Sequence, residues 1–127
     1  MQPKEDIILI GGGGHCVSCI DVIEQEGKYN ILGIIDVKQK VGTKVLNYEI
    51  IGCDDDIKKL MNKCNNFSVT IGQIKSSDMR QKYYSLLNEL NANLPVIISP
   101  RAYISKHSSI GEGTIVMHDA IVNANSK

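Results

Sequence analysis

The sequence predicts an α/β fold in two parts: a parallel sheet with helices on both faces over residues 1–97, and the first turns of a parallel coil of short strands over residues 98–127. Two observations predict this division. Short apolar runs alternate with amphipathic segments through the first part, as in sheets covered by helices on both faces. From Ile98 onward, branched aliphatic residues recur at every sixth position, a period that fits neither a helix nor an ordinary strand.

The first elements form a strand–helix–strand unit. Residues 7–10 are a continuous apolar run, typical of a strand buried on both faces, and four glycines at 11–14 end it. Residues 15–26 have helical spacing, and residues 31–35 form a second buried strand that ends at Asp36. We expect the crossover to be right-handed. The helix residues predicted to face the core are Val17, Ile20, Val22 and Ile23.

The same alternation continues through the middle of the chain. A strand is predicted at residues 45–52, and three aspartates can cap a helix over residues 54–63. A further strand at 67–71 precedes a helix over 79–90, and residues 95–98 are the last apolar run of this part. The first part is therefore predicted to be a Rossmann-like domain.

The second part has a six-residue repeat. A small residue follows each aliphatic position by four, which suits a tight corner between short strands. Three such hexapeptides make one turn of a β-solenoid, and five repeats in register are not expected by chance. The aliphatic positions are Ile98, Ile104, Ile110, Val116 and Val122, and the small ones are Ala102, Ser108, Thr114, Ala120 and Ser126.

Charge and hydropathy exclude several classes of partner. Fourteen Lys and Arg balance fourteen Asp and Glu, so nothing suggests a protein that neutralises nucleic-acid phosphates. No apolar run approaches the roughly 20 residues of a membrane helix, and the first residues do not resemble a signal peptide. We therefore expect a cytoplasmic protein that binds neither nucleic acid nor membrane.

Four cysteines leave two interpretations open. Without an export signal, disulfides are not expected, and a second Cys-x-x-Cys or a His pair at ligand spacing is missing, so no metal site is predicted. Cys16 and Cys19 could form a redox pair. The alternative is that they are small apolar residues on the inner side of the helix.

The glycine-rich turn is the main candidate for ligand binding. Gly11, Gly12, Gly13 and Gly14 lie between a strand and a helix, where bare backbone N–H groups can hold a phosphate or carboxylate. The match to the dinucleotide fingerprint is imperfect, because Cys16 stands at its third glycine. The structural alternative is a tight turn without a ligand.

Further candidates follow other strand ends. Asp36 is placed to accept hydrogen bonds from ribose hydroxyls, or to face a uracil or sugar. His15 would stand at the mouth of the crevice, and Gly72 and Gln73 end another strand at the same edge. Lys75 and Arg80 could contact a phosphate. The default interpretation is that both side chains are exposed to solvent. His107 and His118, inside the repeats, are expected to be exposed.

The combination of these motifs resembles the bacterial sugar acetyltransferases of sialic-acid and UDP-aminosugar pathways. The resemblance rests on residues 8–15, 33–36 and 69–73 and on the repeats over 98–126. It implies a nucleotide-linked or sialic-acid-like sugar on the Rossmann-like domain, acetyl-CoA against a left-handed parallel β-helix, and a homotrimer with sites between neighbours. The implied sugar-binding residues are Gly11, Gly12, Gly13, Gly14, His15, Asp36, Gly72 and Gln73.

The chain departs from the family pattern at three points. Gln73 replaces a frequent Asn, and Val37 replaces a second acidic residue. The general-base His of the family is expected beyond Lys127, because neither His107 nor His118 matches its motif. We therefore expect an N-terminal portion that binds the acceptor sugar and lacks the catalytic His and the acetyl-CoA site. The alternatives are a nicotinamide-dependent oxidoreductase domain and a non-catalytic nucleotide-binding module.

Overall fold

The computed structural model describes residues 4–72 and 78–124. In these ranges nine strands and three α-helices follow one another, with short 3-10 turns at Lys38–Lys40 and Asp54–Asp56. The elements are β1 Glu5–Ile10, α1 Gly14–Glu26, β2 Tyr29–Ile35, β3 Lys44–Val45, β4 Tyr48–Gly52, α2 Ile57–Leu60, β5 Phe67–Val69, α3 Asp78–Glu89, β6 Ile97–Ile98, β7 Tyr103–Ile104, β8 Ile115–Val116 and β9 Ile121–Val122.

The first five strands form one sheet in the order β3-β4-β2-β1-β5. All pairs are parallel except the edge hairpin of β3 and β4. From β1 the chain winds outward through β2 and β4 on one side and to β5 on the other. The strand order therefore reverses between β1 and β5, and the carboxyl ends of these two strands border a crevice. This confirms the predicted α/β class.

The central strand β1 has a core on each side. Ile8 and Ile10 pack with α2 and α3, while Ile7 and Leu9 pack with α1. All four side chains are buried. Alternate residues of a strand point to opposite faces, so a run apolar at every position requires helices on both faces.

Three local predictions are corrected. Residues 45–52 form a hairpin rather than one strand, because Leu46 adopts a left-handed φ of 55° and reverses the chain. The helix predicted over 54–63 is a 3-10 turn followed by the single turn α2. Its C-terminal part leaves the helical path, where the buried Cys64 thiol donates to the Asp6 carbonyl beside the sheet. Val17 is exposed, because Cys16, Cys19, Ile20 and Ile23 form the buried stripe of α1.

The four last strands, β6–β9, are called the coil strands below, and they pair in a different way. Ile98 pairs with Val116 and Ile104 with Val122, in parallel and 18 residues apart. At the predicted corner positions, the amides of Ala102, Ser108 and Ala120 each donate to the carbonyl three residues earlier. These contacts agree with three hexapeptides per turn, and left-handedness stays a prediction. Residues 97–98, predicted as the last run of the first part, pair with β8 instead of the five-stranded sheet. The boundary between residues 97 and 98 stays a prediction.

Two side-chain contacts attach these strands to α1. Glu26 accepts a hydrogen bond from the Ile98 amide at 2.9 Å. His118 lies between Ser99 and Asp21, with Nδ1 bonded to the Ser99 hydroxyl and Nε2 2.8 Å from the Asp21 carboxylate. The prediction that His118 is exposed was therefore wrong, since 23% of its side chain is accessible. His107 is exposed, as predicted.

Candidate functional site

A crevice of about 900 Å³ opens at the carboxyl ends of β1, β2 and β5. Its size is in the range of small-molecule sites, and its position is where open α/β sheets bind ligands. The residues that line it are Ile10, Gly11, Gly12, Gly13, Gly14, His15, Ser18, Ile35, Asp36, Val37, Lys40, Thr70, Ile71, Gly72, Met79 and Tyr83.

Seven of the eight predicted sugar-binding residues line this crevice together. They are Gly11, Gly12, Gly13, Gly14, His15, Asp36 and Gly72. Gln73 lies outside the described residues. The structure thus gathers these residues at one place, and their contact with a ligand stays a prediction.

The glycine turn needs glycine for different reasons at its two ends. Gly11 has φ of +110°, and a Cβ there would lie 2.5 Å from Cγ1 of Ile71. A Cβ at Gly12 would come within 3.0 Å of the Asp36 carboxylate. At Gly13 and Gly14 a Cβ would meet nothing within 4 Å of the protein. The first two glycines fit the fold, and the last two leave the start of α1 open toward the crevice.

The N-terminus of α1 is uncapped by any side chain. Gly13 is the N-cap residue and makes no side-chain hydrogen bond, and the first turn holds no acidic residue. The backbone N–H groups here and the positive end of the helix dipole favour an anion. A phosphate or carboxylate could therefore bind at this end of the crevice.

Asp36 holds the turn as well as lining the crevice. One carboxylate oxygen accepts the Gly12 amide at 2.9 Å, and the other accepts the Val37 amide at 2.7 Å. The Lys40 ammonium lies 3.8 Å from the same carboxylate. A carboxylate has about four acceptor positions, so Asp36 can still accept from a ligand.

Thr70 is a residue of the site that sequence reasoning missed. Its buried hydroxyl lies 2.7 Å from the Gly11 carbonyl oxygen and 3.1 Å from that of Ile10, so it fixes β5 to the start of the turn. The sequence feature that could have identified it is a hydroxyl residue inside an apolar strand, two residues before Gly72. Lys40 and Tyr83 were also missed as lining residues.

The tyrosine behind the crevice is tied to an acid. The Tyr83 hydroxyl donates to Asp54 at 2.6 Å. Burial, and then this hydrogen bond to a carboxylate, raise the pKa of Tyr83. Tyr83 therefore stays protonated and forms a neutral wall of the crevice, and it is a poor proton donor.

The two cysteines of α1 lie on its buried face. Both side chains are fully buried and unpaired. Burial raises the pKa of Cys16, and burial with Cys16 nearby raises the pKa of Cys19 to about 12. A redox pair needs the opposite shift, so the structure favours the interpretation as small apolar core residues.

Among residues 4–72 and 78–124, no group of three or more His, Cys, Asp or Glu side chains is placed to hold a metal ion. None of the helices in these ranges is long and apolar enough to cross a membrane.

Comparison with known proteins gives one family and several structural relatives. Residues 6–87 match the model of the PglD N-terminal domain. A variant of perosamine N-acetyltransferase from Caulobacter crescentus, solved with CoA and GDP-perosamine, is 28% identical with a TM-score of 0.84. The acetyltransferase domain of PglB from Neisseria gonorrhoeae, solved with acetyl coenzyme A, is 25% identical with a TM-score of 0.79.

These relatives are longer than the chain. The alignments cover 94% and 96% of this chain but 55% and 57% of the perosamine N-acetyltransferase and PglB domain chains. The chain therefore spans little more than half of each.

A more distant structure shares the fold alone. UDP-D-quinovosamine 4-dehydrogenase from Vibrio fischeri is 14% identical with a TM-score of 0.58, covering 72% of this chain and 75% of that chain. A search of curated protein sequences found no significant match.

The family match covers the turns that line the crevice at Gly11–Gly14 and at Gly72, together with the Asp36 strand end. It confirms the resemblance to an N-terminal portion of a bacterial sugar acetyltransferase that the sequence motifs indicated. The chain belongs to the PglD N-terminal domain family.

Proposed function

We propose that the chain is the acceptor-binding part of an acetyl-CoA-dependent sugar acetyltransferase. Its crevice would hold a nucleotide-activated amino sugar or a sialic-acid-like sugar. The observation that carries the proposal is that the uncapped N-terminus of α1 and the Asp36 carboxylate line one crevice, where the strand order reverses.

Two polar features of the crevice, the N-terminus of α1 and the Asp36 carboxylate, match two parts of a nucleotide sugar. The amides that follow Gly13 face a diphosphate, which is the anionic middle of such a ligand. Asp36 accepts hydrogen bonds from the ribose or the base at one end. His15 and Gly72 are neighbours, and His15 also borders Ile115 and Met117, so we place the sugar on that side of the crevice.

Acetyl transfer itself needs groups that these residues do not supply. The sugar amine or hydroxyl attacks the thioester carbonyl of acetyl-CoA, a base takes the proton, and the thiol of CoA leaves. A hydrogen-bond donor must stabilise the oxyanion that forms on the way. We assign the role of general base to a His beyond Lys127. The proposal also includes acetyl-CoA as the co-substrate, a left-handed β-helix, assembly as a homotrimer and a cytoplasmic location. The relatives solved with CoA, acetyl coenzyme A and GDP-perosamine support it.

The test is a calorimetric titration of the chain with UDP, GDP, NADH and CoA. We expect UDP or GDP to bind and to raise the melting temperature, because a ligand specific for the folded state stabilises it. Binding of NADH without UDP or GDP would instead support the oxidoreductase domain. Acetyl transfer to an amino sugar by the 127-residue chain alone would contradict the proposal that this chain binds the acceptor and lacks the catalytic His.

A paired substitution locates the ligand. Asp36→Asn keeps the shape of the side chain but turns an amide N–H₂ toward either the Gly12 or the Val37 amide, so the turn loses one acceptor. We expect nucleotide affinity to fall at least tenfold. Asp119→Asn is the matched control, at an exposed residue between β8 and β9 with a φ of 60° that Asn tolerates.

A further inference from the structure

A second cavity lies directly behind His15. It has a volume of about 250 Å³ and lies where α1, β5 and α3 meet the coil strand β8. It shares His15 and Ile71 with the crevice, so the two cavities are neighbours separated by these side chains. The residues that line it are His15, Val69, Ile71, Arg80, Ile115 and Met117.

Arg80 is the one charged residue of this lining, and its guanidinium is only partly satisfied. Nη2 donates to the Tyr84 hydroxyl at 3.2 Å, and the group lies 5.8 Å from the centre of the Tyr84 ring. Nε is buried and has no hydrogen-bond partner within the described residues. No carboxylate in the same part of the chain forms an ion pair with Arg80.

A buried N–H without an acceptor costs free energy, so a ligand that brings an acceptor to Nε is favoured at this position. The four other lining side chains besides His15 and Arg80 are apolar, and they lower the local dielectric. An anion in this cavity would supply the absent acceptor and the absent charge together. A charge-assisted hydrogen bond is strongest in such surroundings.

We propose that the Arg80 cavity is an anion subsite, in which Arg80 Nε and His15 hold an oxyanion of the ligand that lies in the crevice. The proposal rests on the proposed function and deepens it, because it gives the acceptor a second anionic contact beyond the N-terminus of α1. Two sources have this chemistry: the phosphate nearer the sugar in a nucleoside diphosphate sugar, and a carboxylate carried by the sugar.

Arg80 also has a structural role, which can be tested separately from anion binding. Tyr84 receives a hydrogen bond from Arg80 and donates to the Gly113 carbonyl at 3.2 Å, so the pair also ties α3 to the coil strands. This tie uses Nη2 and leaves Nε free. A variant that breaks the tie, Tyr84→Phe, therefore controls for a purely structural effect.

The direct test observes the side chain itself by ¹⁵N NMR of the arginine Nε–H groups. The chain has two arginines, so Arg101, exposed and paired with Asp119, serves as an internal control. The probes are inorganic pyrophosphate, UMP, UDP, GDP, UDP-glucose and UDP-glucuronate. We expect an anion in the subsite to shift the Arg80 resonance and leave that of Arg101 in place.

The pattern of shifts identifies the source. A shift with UDP or GDP but not with UMP indicates the distal phosphate. A shift with UDP-glucuronate but not with UDP or UDP-glucose indicates a sugar carboxylate. Binding of nucleotides without any shift at Arg80 would overturn the subsite and leave the proposed function standing. A shift with pyrophosphate in a chain that binds no nucleotide would support an anion site at Arg80 and overturn the proposed function. If no probe binds and none shifts the Arg80 resonance, both proposals are overturned.

Affinities give the second readout. Arg80→Gln should weaken the anion-dependent part of binding by about tenfold to hundredfold, the loss expected for a hydrogen bond to a charged group. Binding of uridine or guanosine should not change. Tyr84→Phe should keep the wild-type affinities, and Arg80→Lys should recover part of the loss. Equal losses for Arg80→Gln and Tyr84→Phe would contradict a role for Nε. If Arg80→Gln does not fold, the resonance shifts in the wild-type chain decide.

Discussion

The five-stranded sheet and the coil strands β6–β9 use aliphatic residues in different ways. In the sheet, Ile7, Ile8 and Leu9 are each 0% exposed, because helices cover both faces of β1. In the coil, the repeated aliphatic positions Ile98 and Ile104 stay half-buried. The sheet therefore holds most of the fully buried core, to which Ile97 of β6 also belongs. Of the five repeated aliphatic positions in the coil strands, Val116 is buried and the other four are half-buried.

A matched pair of substitutions tests this difference most strongly. Ile8→Ala removes a fully buried side chain and should lower the free energy of unfolding by about 2–5 kcal/mol. Ile104→Ala, at a half-buried coil position, should cost roughly 1 kcal/mol. Urea unfolding monitored by circular dichroism measures both. Equal costs would show that the coil strands contribute as much core as the sheet.

The contact between the two regions gives the next effect. His118→Ala removes both hydrogen bonds of the Ser99–His118–Asp21 chain and leaves the buried Ser99 hydroxyl without its histidine partner. We expect a loss of about 1–3 kcal/mol. Hydrogen exchange should quicken at the Ser99 amide, which donates to Val116, and stay slow in β1.

His107→Ala is the control for that prediction, because His107 is an exposed residue of the same repeats. Its effect on the free energy of unfolding should stay within about 0.5 kcal/mol. If the two histidine variants lose the same stability, the His118 contacts do not hold the coil strands to α1.

The free energy of unfolding should also fall at alkaline pH, because of a buried thiol beside the sheet. Burial raises the pKa of Cys19 to about 12 from an ordinary value of 9.0, so between these values the unfolded chain loses this proton while the folded chain keeps it. The folded state then binds more protons, and its free energy of unfolding falls as pH rises above 9, by at most about 1.4 kcal/mol per pH unit. Cys19→Ala should remove this part of the slope.

Thiol labelling gives an independent check on the same residues. Cys53 is half-buried and should react first with a thiol reagent in the folded protein, while the buried Cys16 and Cys19 should react on unfolding. Fast labelling of Cys16 at neutral pH would support the redox interpretation instead.

The smallest effect on stability is expected at the open end of the glycine turn. A Cβ at Gly14 meets nothing within 4 Å, and Ala favours a helix by about 1 kcal/mol over Gly, so Gly14→Ala should unfold no more easily than wild type. Its methyl group would occupy ligand space, and nucleotide affinity should fall about tenfold. Gly111→Ala adds the same methyl to open space in the coil and should change neither quantity.

The sequence predicted the elements whose signals are local. The run at residues 7–10 and the glycines after it specify β1 and its turn through neighbouring residues alone, and Asp36 and Gly72 follow because parallel strands end at one edge. The hairpin of β3 and β4 was missed because Leu46, rather than a glycine, adopts the left-handed conformation at its turn.

Contacts between distant residues could not be predicted from local patterns. His118 meets Asp21, which is 97 positions away, and the repeat pattern gives no sign of that partner. The Thr70 hydroxyl reaches the Gly11 carbonyl over 59 positions, so its place in the site depends on the strand order of the sheet. Val17 was misplaced because the cysteines beside it, small and apolar, take the buried stripe of α1.

The 18-residue pairing of the coil strands constrains how the chain can change in length. A single inserted residue between positions 98 and 115 would shift β8 against β6 and turn its inward side chains outward. Removal or addition of six residues would again point the aliphatic side chains of β8 inward, but β8 would lie on a different side of the coil. The loop between β2 and β3 has no such periodicity, and we expect insertions and deletions in relatives to collect there while the coil changes in whole turns.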